Sequence, residues 1–273
     1  MKKVILFLFA MMLLFSSCGE YNKLLKSQDP DLKYSYAKKY FNQKKYVRSA
    51  TLLEEIVQYF RGRTEAEESL YLLAQSYYGQ KDYVTASEYF KTYYNTYPKG
   101  EFTELARFYS AYGLYLDSPD PRLDQTQTYE SIQQFLLYLE YYPQSERAKD
   151  AQSILFELQE KLAYKEYLAA KLYYNLGTYR TSTMGNNYQA CVITSENAMK
   201  SYPDTKYREE FSYLMIASKY ELAIVSINER LQARYRDVVD EYYNYMNEFP
   251  EGKYIKQVKK YFEYANSKIE KNY

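Results

Sequence analysis

The chain has 273 residues, with 36 lysines and arginines against 35 aspartates and glutamates, so its formal net charge is +1. This balance gives no electrostatic footprint for binding nucleic acid or an acidic surface. Histidine and tryptophan are both absent, which excludes histidine-based general-base catalysis and histidine-ligated zinc or copper sites. Tyrosine occurs 39 times, and its apolar ring with a polar end suits partly buried surfaces.

The first 17 residues are predicted to be a signal peptide. Lys2 and Lys3 precede an uninterrupted apolar run over residues 4–15, which is too short to span a bilayer and well sized for a secretory h-region. Small residues then lead to Cys18, in a pattern that resembles a bacterial lipobox. The resemblance implies cleavage before Cys18 and covalent lipid, including palmitate, on that cysteine. The alternative is an ordinary signal peptide with an incidental cysteine. Cleavage would change the net charge from +1 to −1, because it removes the two lysines.

After a polar tether over residues 18–30, the sequence predicts helices almost throughout. Aromatic and aliphatic residues recur three and four positions apart, glycine is scarce, and no strand-like alternation occurs. Four helical runs end in an aromatic residue, a proline and a polar turn, at Tyr97-Pro98, Tyr142-Pro143, Tyr202-Pro203 and Phe249-Pro250. Because proline cannot continue a helix, each of these corners stops a helix at the same phase of a repeat.

The stretch between Glu67 and Pro98 matches the tetratricopeptide pattern of paired helices most clearly. Its matching positions are Leu70, Leu73, Ala74, Tyr77, Ala86, Phe90 and Pro98. Ala74 and Ala86 are predicted to lie where the two helices cross closely. Tyr77 and Phe90 are predicted to fill the space between the helices.

Four more repeats are predicted around this one. Repeat one aligns 37 residues earlier, with Ala37, Tyr40, Ser49 and Leu53 at the equivalent positions and Arg61-Gly62 as its stop. Repeat three, about residues 104–143, carries an insertion over residues 117–128 whose prolines prevent a continuous helix. Repeat four opens with a long helix over residues 146–176 and continues through a loop at residues 183–187. Repeat five closes at Pro250.

The predicted fold is therefore an all-α tetratricopeptide solenoid of five helix pairs plus a C-terminal capping helix over residues 253–271. N-terminal repeats are expected over residues 31–143 and C-terminal repeats over residues 144–273. Such arrays present surfaces to partners more often than they carry out chemistry.

No catalytic residue, metal site or cofactor other than the covalent lipid is predicted. Adjacent acids such as Glu54-Glu55 and Glu67-Glu68 point about 100° apart on a helix, so they are interpreted as a solvated face. The acids of the insertion, Asp117, Asp120 and Asp124, lack the glycine and terminal glutamate of a calcium loop. A glycan lyase or hydrolase would need two carboxylates facing each other across a groove, roughly 5–10 Å apart.

An aromatic groove is the predicted binding site. One side of each first helix lines a concave surface in this repeat architecture, and aromatic residues recur there. These positions are expected to be unnecessary for packing between paired helices, so they suit an extended peptide with aromatic and apolar side chains. The alternative is that a general tyrosine bias placed the rings there. The groove residues are Tyr34, Phe41, Tyr71, Tyr78, Phe108 and Tyr112.

Beyond the lipobox and the repeats, three stretches make the chain similar to the BamD family of outer-membrane assembly lipoproteins, also called ComL. They are Asp124-Gln125-Thr126 after the Pro/Asp loop, Tyr142-Pro143-Gln144-Ser145 leading into the long helix, and residues 162–179 with their Leu-Ala-Tyr-Lys-Glu and Gly-Thr-Tyr runs. The chain departs from the family pattern at Tyr188-Gln189-Ala190-Cys191, and its C-terminal third is the least similar part.

The resemblance implies a scaffold without enzymatic activity, anchored by lipid at Cys18 on the periplasmic side of the outer membrane. It would assist folding and insertion of outer-membrane β-barrel proteins. The N-terminal groove would receive the C-terminal targeting strand of an unfolded substrate. The C-terminal repeats would dock onto periplasmic domains of the barrel-forming insertase subunit, beside other assembly lipoproteins. The alternative is a periplasmic tetratricopeptide adaptor lipoprotein in envelope division or polysaccharide uptake. No nucleic-acid partner is expected.

Overall fold

The computed structural model describes residues 19–179 and 186–269, which form helices joined by turns and loops without any strand. The predicted all-α repeat fold is confirmed. The signal peptide and Cys18 lie outside the described residues, as do residues 183–185 of the predicted loop. The helices of the described ranges are α1 (residues 19–25), α2 (Pro30–Asn42), α3 (Tyr46–Ile56), α4 (Glu65–Gly79), α5 (Tyr83–Thr96), α6 (Thr103–Asp117), α7 (Thr126–Tyr141), α8 (Ala148–Leu176), α9 (Asn187–Ser201), α10 (Arg208–Ile224), α11 (Asn228–Glu248) and α12 (Ile255–Lys268).

Two compact units divide the chain. Of the described residues, the N-terminal unit comprises 19–119 and 125–155, and the C-terminal unit comprises 120–124, 156–179 and 186–269. The boundary was expected between residues 143 and 144. That boundary stays a prediction; the N-terminal unit includes the first two turns of α8, up to residue 155.

Small residues mark the crossings of paired helices in the N-terminal unit. Ala37, Ala74 and Ala111 follow one another at intervals of 37 residues, and each is fully buried. The Ser49 hydroxyl donates to the Ala37 carbonyl at 2.9 Å, and the Ser131 hydroxyl makes the equivalent bond to the Ala111 carbonyl at 2.9 Å. A side chain as short as serine can reach the backbone of the paired helix only where the two helix axes lie close together, and such an approach requires small side chains at the crossing. Ala74 and Ala86 share one core cluster with Phe90, so their predicted place between the helices is confirmed.

The turns within repeats one and two have the same backbone conformation. Lys44 and Lys81 both lie in the left-handed region, with φ of 59° and 64°. Their amides donate to the Phe41 and Tyr78 carbonyls at 2.8 and 3.0 Å. Asparagine, aspartate and glycine favour such a conformation over lysine, so its recurrence confirms the alignment of the two repeats.

The four aromatic-proline corners are conformationally alike. Their aromatic residues, Tyr97, Tyr142, Tyr202 and Phe249, cap the preceding helices with φ between −132° and −123° and ψ between 56° and 70°. A following proline disfavours the α-helical conformation for the residue before it, and all four residues lie outside the α-helical region. The corners therefore end their helices at a common phase, as predicted.

A buried tyrosine lies one turn before three of these corners. Tyr93, Tyr138 and Tyr245 are fully buried. Their hydroxyls donate to glutamates at the start of the helix before, and these acceptors are Glu67, Glu104 and Glu209. We call each pair a tyrosine–glutamate lock.

The interpretation of the acidic pairs as a solvated face holds for Glu54 and Glu55, which are exposed, but not for Glu67, which is half-buried in a lock. Glu67 accepts from Tyr93 and from the Glu101 amide, Glu54 accepts from the Tyr77 hydroxyl, and Glu55 pairs with buried Lys33. Position on a helix could not reveal this, because every partner comes from another segment of the chain.

The C-terminal unit is closed by α12, as the prediction of a capping helix requires. Gly177, at φ +53°, follows the end of α8 in the left-handed conformation that glycine adopts without strain. Helix α12 then covers apolar residues of α10 and α11, including Ile216 and Val238. Ring stacking adds to this contact, with centroids 4.1 Å apart for Tyr213 and Tyr254.

The segment expected to be a polar tether is partly built into the core. Residues 19–25 form α1, whose Leu24 is 5 % exposed and belongs to the first core cluster. Tyr21 packs edge-on against Tyr40 at 5.7 Å. The segment is too short for apolar periodicity to show in the sequence, which is why it was interpreted as a tether.

Candidate functional site

An aromatic cleft of about 490 Å³ opens on the N-terminal unit. Helices α4 and α6 supply its rings, and the first two turns of α8, with the residue before them, supply its charged edge. A cleft of this size is comparable to typical ligand sites, about 300–1,000 Å³. Its lining residues are Tyr78, Phe108, Tyr109, Tyr112, Tyr115, Arg147, Asp150, Ser153 and Ile154.

The rings of the cleft form a continuous ladder. Centroids are 5.4 Å apart for Tyr78 and Tyr109, and 5.7 Å for Phe108 and Tyr109. The ladder continues from Phe108 to Tyr112 at 5.7 Å and from Tyr112 to Tyr115 at 5.6 Å, both as stacked pairs. Helix geometry brings Phe108, Tyr112 and Tyr115 together, because residues three and four apart share a face of α6. We call these five residues the tyrosine ladder.

The cleft combines buried and solvent-facing ring surface. Burial raises the pKa of Tyr78 to about 12, and the neighbouring Tyr112 and Tyr109 add to the shift. Tyr78, Tyr109, Tyr112 and Tyr115 are all half-buried, so each has solvent-facing surface, whereas Phe108 is buried and forms the floor. The arrangement can offer apolar ring faces together with hydroxyl donors.

Three of the six predicted groove residues meet in this cleft, namely Tyr78, Phe108 and Tyr112. Phe41 does not; it is half-buried against Tyr46 at 5.5 Å in the first repeat. Whether any of the six binds a peptide stays a prediction.

The expectation that the groove positions are unnecessary for helix packing is wrong for the position three residues before each crossing alanine. Tyr34 is 8 % exposed and lies 5.2 Å from Phe60. Its equivalent Tyr71 packs against Phe90 at 5.7 Å and stacks on Phe102 at 4.4 Å. Each lies three residues before a crossing alanine, Ala37 or Ala74, and therefore faces the same partner helix. Phe108 stands in the same relation to Ala111 and contacts Phe135.

Sequence analysis missed Tyr109 and the charged edge of the cleft. Arg147 immediately precedes α8 and Asp150 lies in its first turn. Arg147 could have been noticed, because a cation beside a helix N-terminus is opposed by the helix dipole. Such a departure from local preference often marks a functional position.

The C-terminal unit has a larger cleft of different character, about 700 Å³ between α9, α10 and α11. Polar side chains dominate its lining, among them Glu196, Asn244 and Asn247. Among its charges, buried Glu241 accepts from Lys219 at 2.5 Å and Glu248 pairs with Arg208, whereas Glu196 has no ion pair among the described residues.

Within the described ranges, no three histidine, cysteine, aspartate or glutamate side chains are grouped so as to hold a metal ion. None of the helices in these ranges combines the length and apolar character needed to cross a membrane. Cys191 is buried among α8, α9 and α10, and burial raises the pKa of its thiol.

Comparison with known proteins relates the chain to lipoproteins of the outer membrane. The family described as YfiO, outer membrane lipoprotein, matches residues 26–229. A protein of Aquifex aeolicus (strain VF5) named "Putative outer membrane protein assembly factor BamD" is 32% identical over 107 residues. That alignment covers 39% of this chain and 35% of the Aquifex protein, so the chain matches about a third of its relative's length.

Proposed function

Because the chain belongs to the YfiO family of outer-membrane lipoproteins, we propose that it is a lipid-anchored scaffold that assists folding and insertion of outer-membrane β-barrel proteins. Cys18 would carry the lipid, on the periplasmic side. The relative named as an assembly factor supports the assembly role. The tyrosine ladder is the single observation on which the proposed mechanism, binding of an unfolded substrate, depends.

The cleft suits one end of an extended peptide with aromatic side chains. Aromatic rings give large contact area at low entropic cost, and rings in offset or edge-on contact are worth about 0.5–1.5 kcal/mol beyond burial. Tyr112 and Tyr115 stack within their own helix and present their other surfaces to the cleft. An unfolded barrel protein whose last strand ends in an aromatic residue would place that ring on the ladder.

The C-terminal unit would dock onto the periplasmic domains of the barrel-forming insertase subunit, beside other assembly lipoproteins. Its polar cleft and exposed side chains such as Leu172 and Ile227, 57% and 64% exposed, are the surfaces available for such contacts. Binding and positioning, without a reaction, would then be the whole mechanism.

Peptide titration tests the proposal. A labelled peptide ending in phenylalanine, with alternating apolar residues before it, is titrated against the wild type and against Tyr112→Ala. We expect the variant to bind more weakly by about 1–2 kcal/mol, because Tyr112 supplies a central ring of the ladder. Its melting temperature should change little, since among the described residues Tyr112 stacks only on rings of its own helix.

Tyr129→Ala is the matched control. Tyr129 is a 48% exposed tyrosine of the same unit, on α7 and away from the cleft, so this variant should bind like the wild type. Normal binding by folded Tyr112→Ala, or equal weakening by both variants, would show that the ladder does not recognise the peptide.

A further inference from the structure

Arg147 is an arginine without a charged partner at the rim of the aromatic cleft. Its side chain is half-buried, and no carboxylate of the described ranges lies within ion-pair distance of its guanidinium. Elsewhere in the same unit an arginine is fully engaged, since Arg107 is sandwiched between the Tyr94 and Tyr141 rings, 4.2 Å from each centroid. Arg147 therefore has donors to offer a ligand.

Local electrostatics at Arg147 favour an anion. Arg147 accepts the first backbone bond of α8, from Ala151 at 2.9 Å, so it lies at the positive end of a 29-residue helix. Its charge and the helix dipole repel each other, and Asp150, also lining the cleft, offsets only part of this. A carboxylate next to Arg147 would be attracted by both the guanidinium and the helix end.

We propose that Arg147 makes the cleft selective for the end of a chain, by binding the terminal carboxylate of a peptide whose last side chain lies on the tyrosine ladder. This inference rests on the proposed function and names the feature of the substrate that the site distinguishes. A terminal residue carries its side chain and its carboxylate on one Cα. One cleft lined by both rings and a guanidinium can therefore hold both groups, whereas an internal aromatic residue brings no carboxylate.

Arginine suits this role because its planar fork of N–H donors matches a carboxylate with two parallel hydrogen bonds. The rings supply affinity for any aromatic residue and Arg147 supplies the preference for a terminus. The substrate class is thus a peptide or unfolded protein that ends in an aromatic residue with a free carboxylate.

The test compares two labelled peptides of one sequence ending in phenylalanine, one with a free carboxylate and one with a terminal amide. Each is titrated against the full lipidated protein in detergent. We expect the wild type to bind the acid about five- to tenfold more tightly than the amide, as a charge-assisted hydrogen bond in a half-exposed site allows. In Arg147→Gln this ratio should fall to about one, with the affinity for the amide unchanged.

Three further variants sharpen the result. Asp150→Asn should tighten binding of the acid peptide, because it removes a repelling charge. Lys149→Gln removes an exposed cation that does not line the cleft and should keep the wild-type ratio. Arg147→Lys should keep part of the preference, since it retains the charge and loses the fork. It also serves as the informative variant if Arg147→Gln does not fold.

Equal wild-type affinities for acid and amide, or a preference that survives in Arg147→Gln, would overturn this inference. If Tyr112→Ala then weakened both peptides alike, the cleft would still bind peptides and the proposed function would stand. If neither peptide bound the wild type, the proposed function itself would be wrong.

Discussion

Tyrosine rings have different neighbours in the two units. In the C-terminal unit, close stacks join rings that are distant along the chain, with centroids 4.1 Å apart for Tyr213 and Tyr254 and 4.2 Å for Tyr242 and Phe262. In the N-terminal unit, Tyr112 and Tyr115 stack along a single helix and border an open cleft. Abundance of tyrosine therefore does not identify a binding surface; rings that border an open cleft, such as Tyr112, are the candidates.

The two clefts also differ in the sign of the charge that has no ion pair among the described residues. In the C-terminal cleft, Glu241 pairs with Lys219 and Glu248 pairs with Arg208, so the half-buried Glu196 is left as an acid. Arg147 in the N-terminal unit has no such partner among the described residues. A half-buried single charge can bind a ligand group of opposite sign, so the cation Arg147 suits an anion and the acid Glu196 does not.

The largest expected effect is a loss of stability that should be the same in both units, because each unit contains a tyrosine–glutamate lock. Tyr93→Ala should destabilise the N-terminal unit, and Tyr245→Ala the C-terminal unit, by about 3–5 kcal/mol each, as expected when a fully buried ring is removed. Urea denaturation combined with hydrogen exchange of α4–α5 and of α10–α11 measures each unit separately.

Tyr93→Phe separates the hydrogen bond from the ring. It keeps the packing and leaves Glu67 with one donor fewer, so a loss of about 1–2 kcal/mol is expected. A variant as stable as the wild type would show that the lock is only a packing contact.

Sequence periodicity predicted the helices well because their signals are local. Proline after an aromatic residue, glycine at position 177 and alanine at each crossing act on their own helix or its immediate neighbour. The locks were not predictable in this way, since Tyr93 meets a glutamate 26 residues earlier.

The candidate site was predicted only in part, for a related reason. Helical position placed Tyr71 on the correct side of α4, but the ring that covers it, Phe102, comes from the corner before α6. Whether an aromatic side chain is buried or available depends on such distant neighbours. Arg147 is different, because its position beside a helix N-terminus is unfavourable for a cation. That local feature of the sequence is enough to single it out as a candidate site residue.

A smaller and more general effect is expected from alkaline pH, and it should appear in both units. Burial raises the pKa of Tyr138 from 10.0 to about 12, and it also raises the pKa of Tyr245, where Glu209 adds to the shift. The native state then holds these phenol protons more tightly than the unfolded chain does. The stability they contribute is fully present below pH 10.0 and is lost as the pH rises towards about 12.

Circular dichroism and tyrosinate absorbance, recorded together from neutral to alkaline pH, measure this effect. We expect helicity to fall between about pH 10 and 12, with much of the tyrosinate appearing in the same step. Full ionisation of the tyrosines around pH 10 with helicity retained would contradict the assigned burial.

Site-specific crosslinking tests most directly whether the aromatic cleft, and not the polar one, recognises substrate. A photoreactive phenylalanine analogue is placed at position 112 in one strain and at position 247, in the polar cleft, in another. Irradiation during synthesis of an outer-membrane barrel protein should give adducts at position 112, mapping to the last strand of the substrate, and none at position 247. Adducts at 247 without any at 112 would contradict the assignment of recognition to the tyrosine ladder.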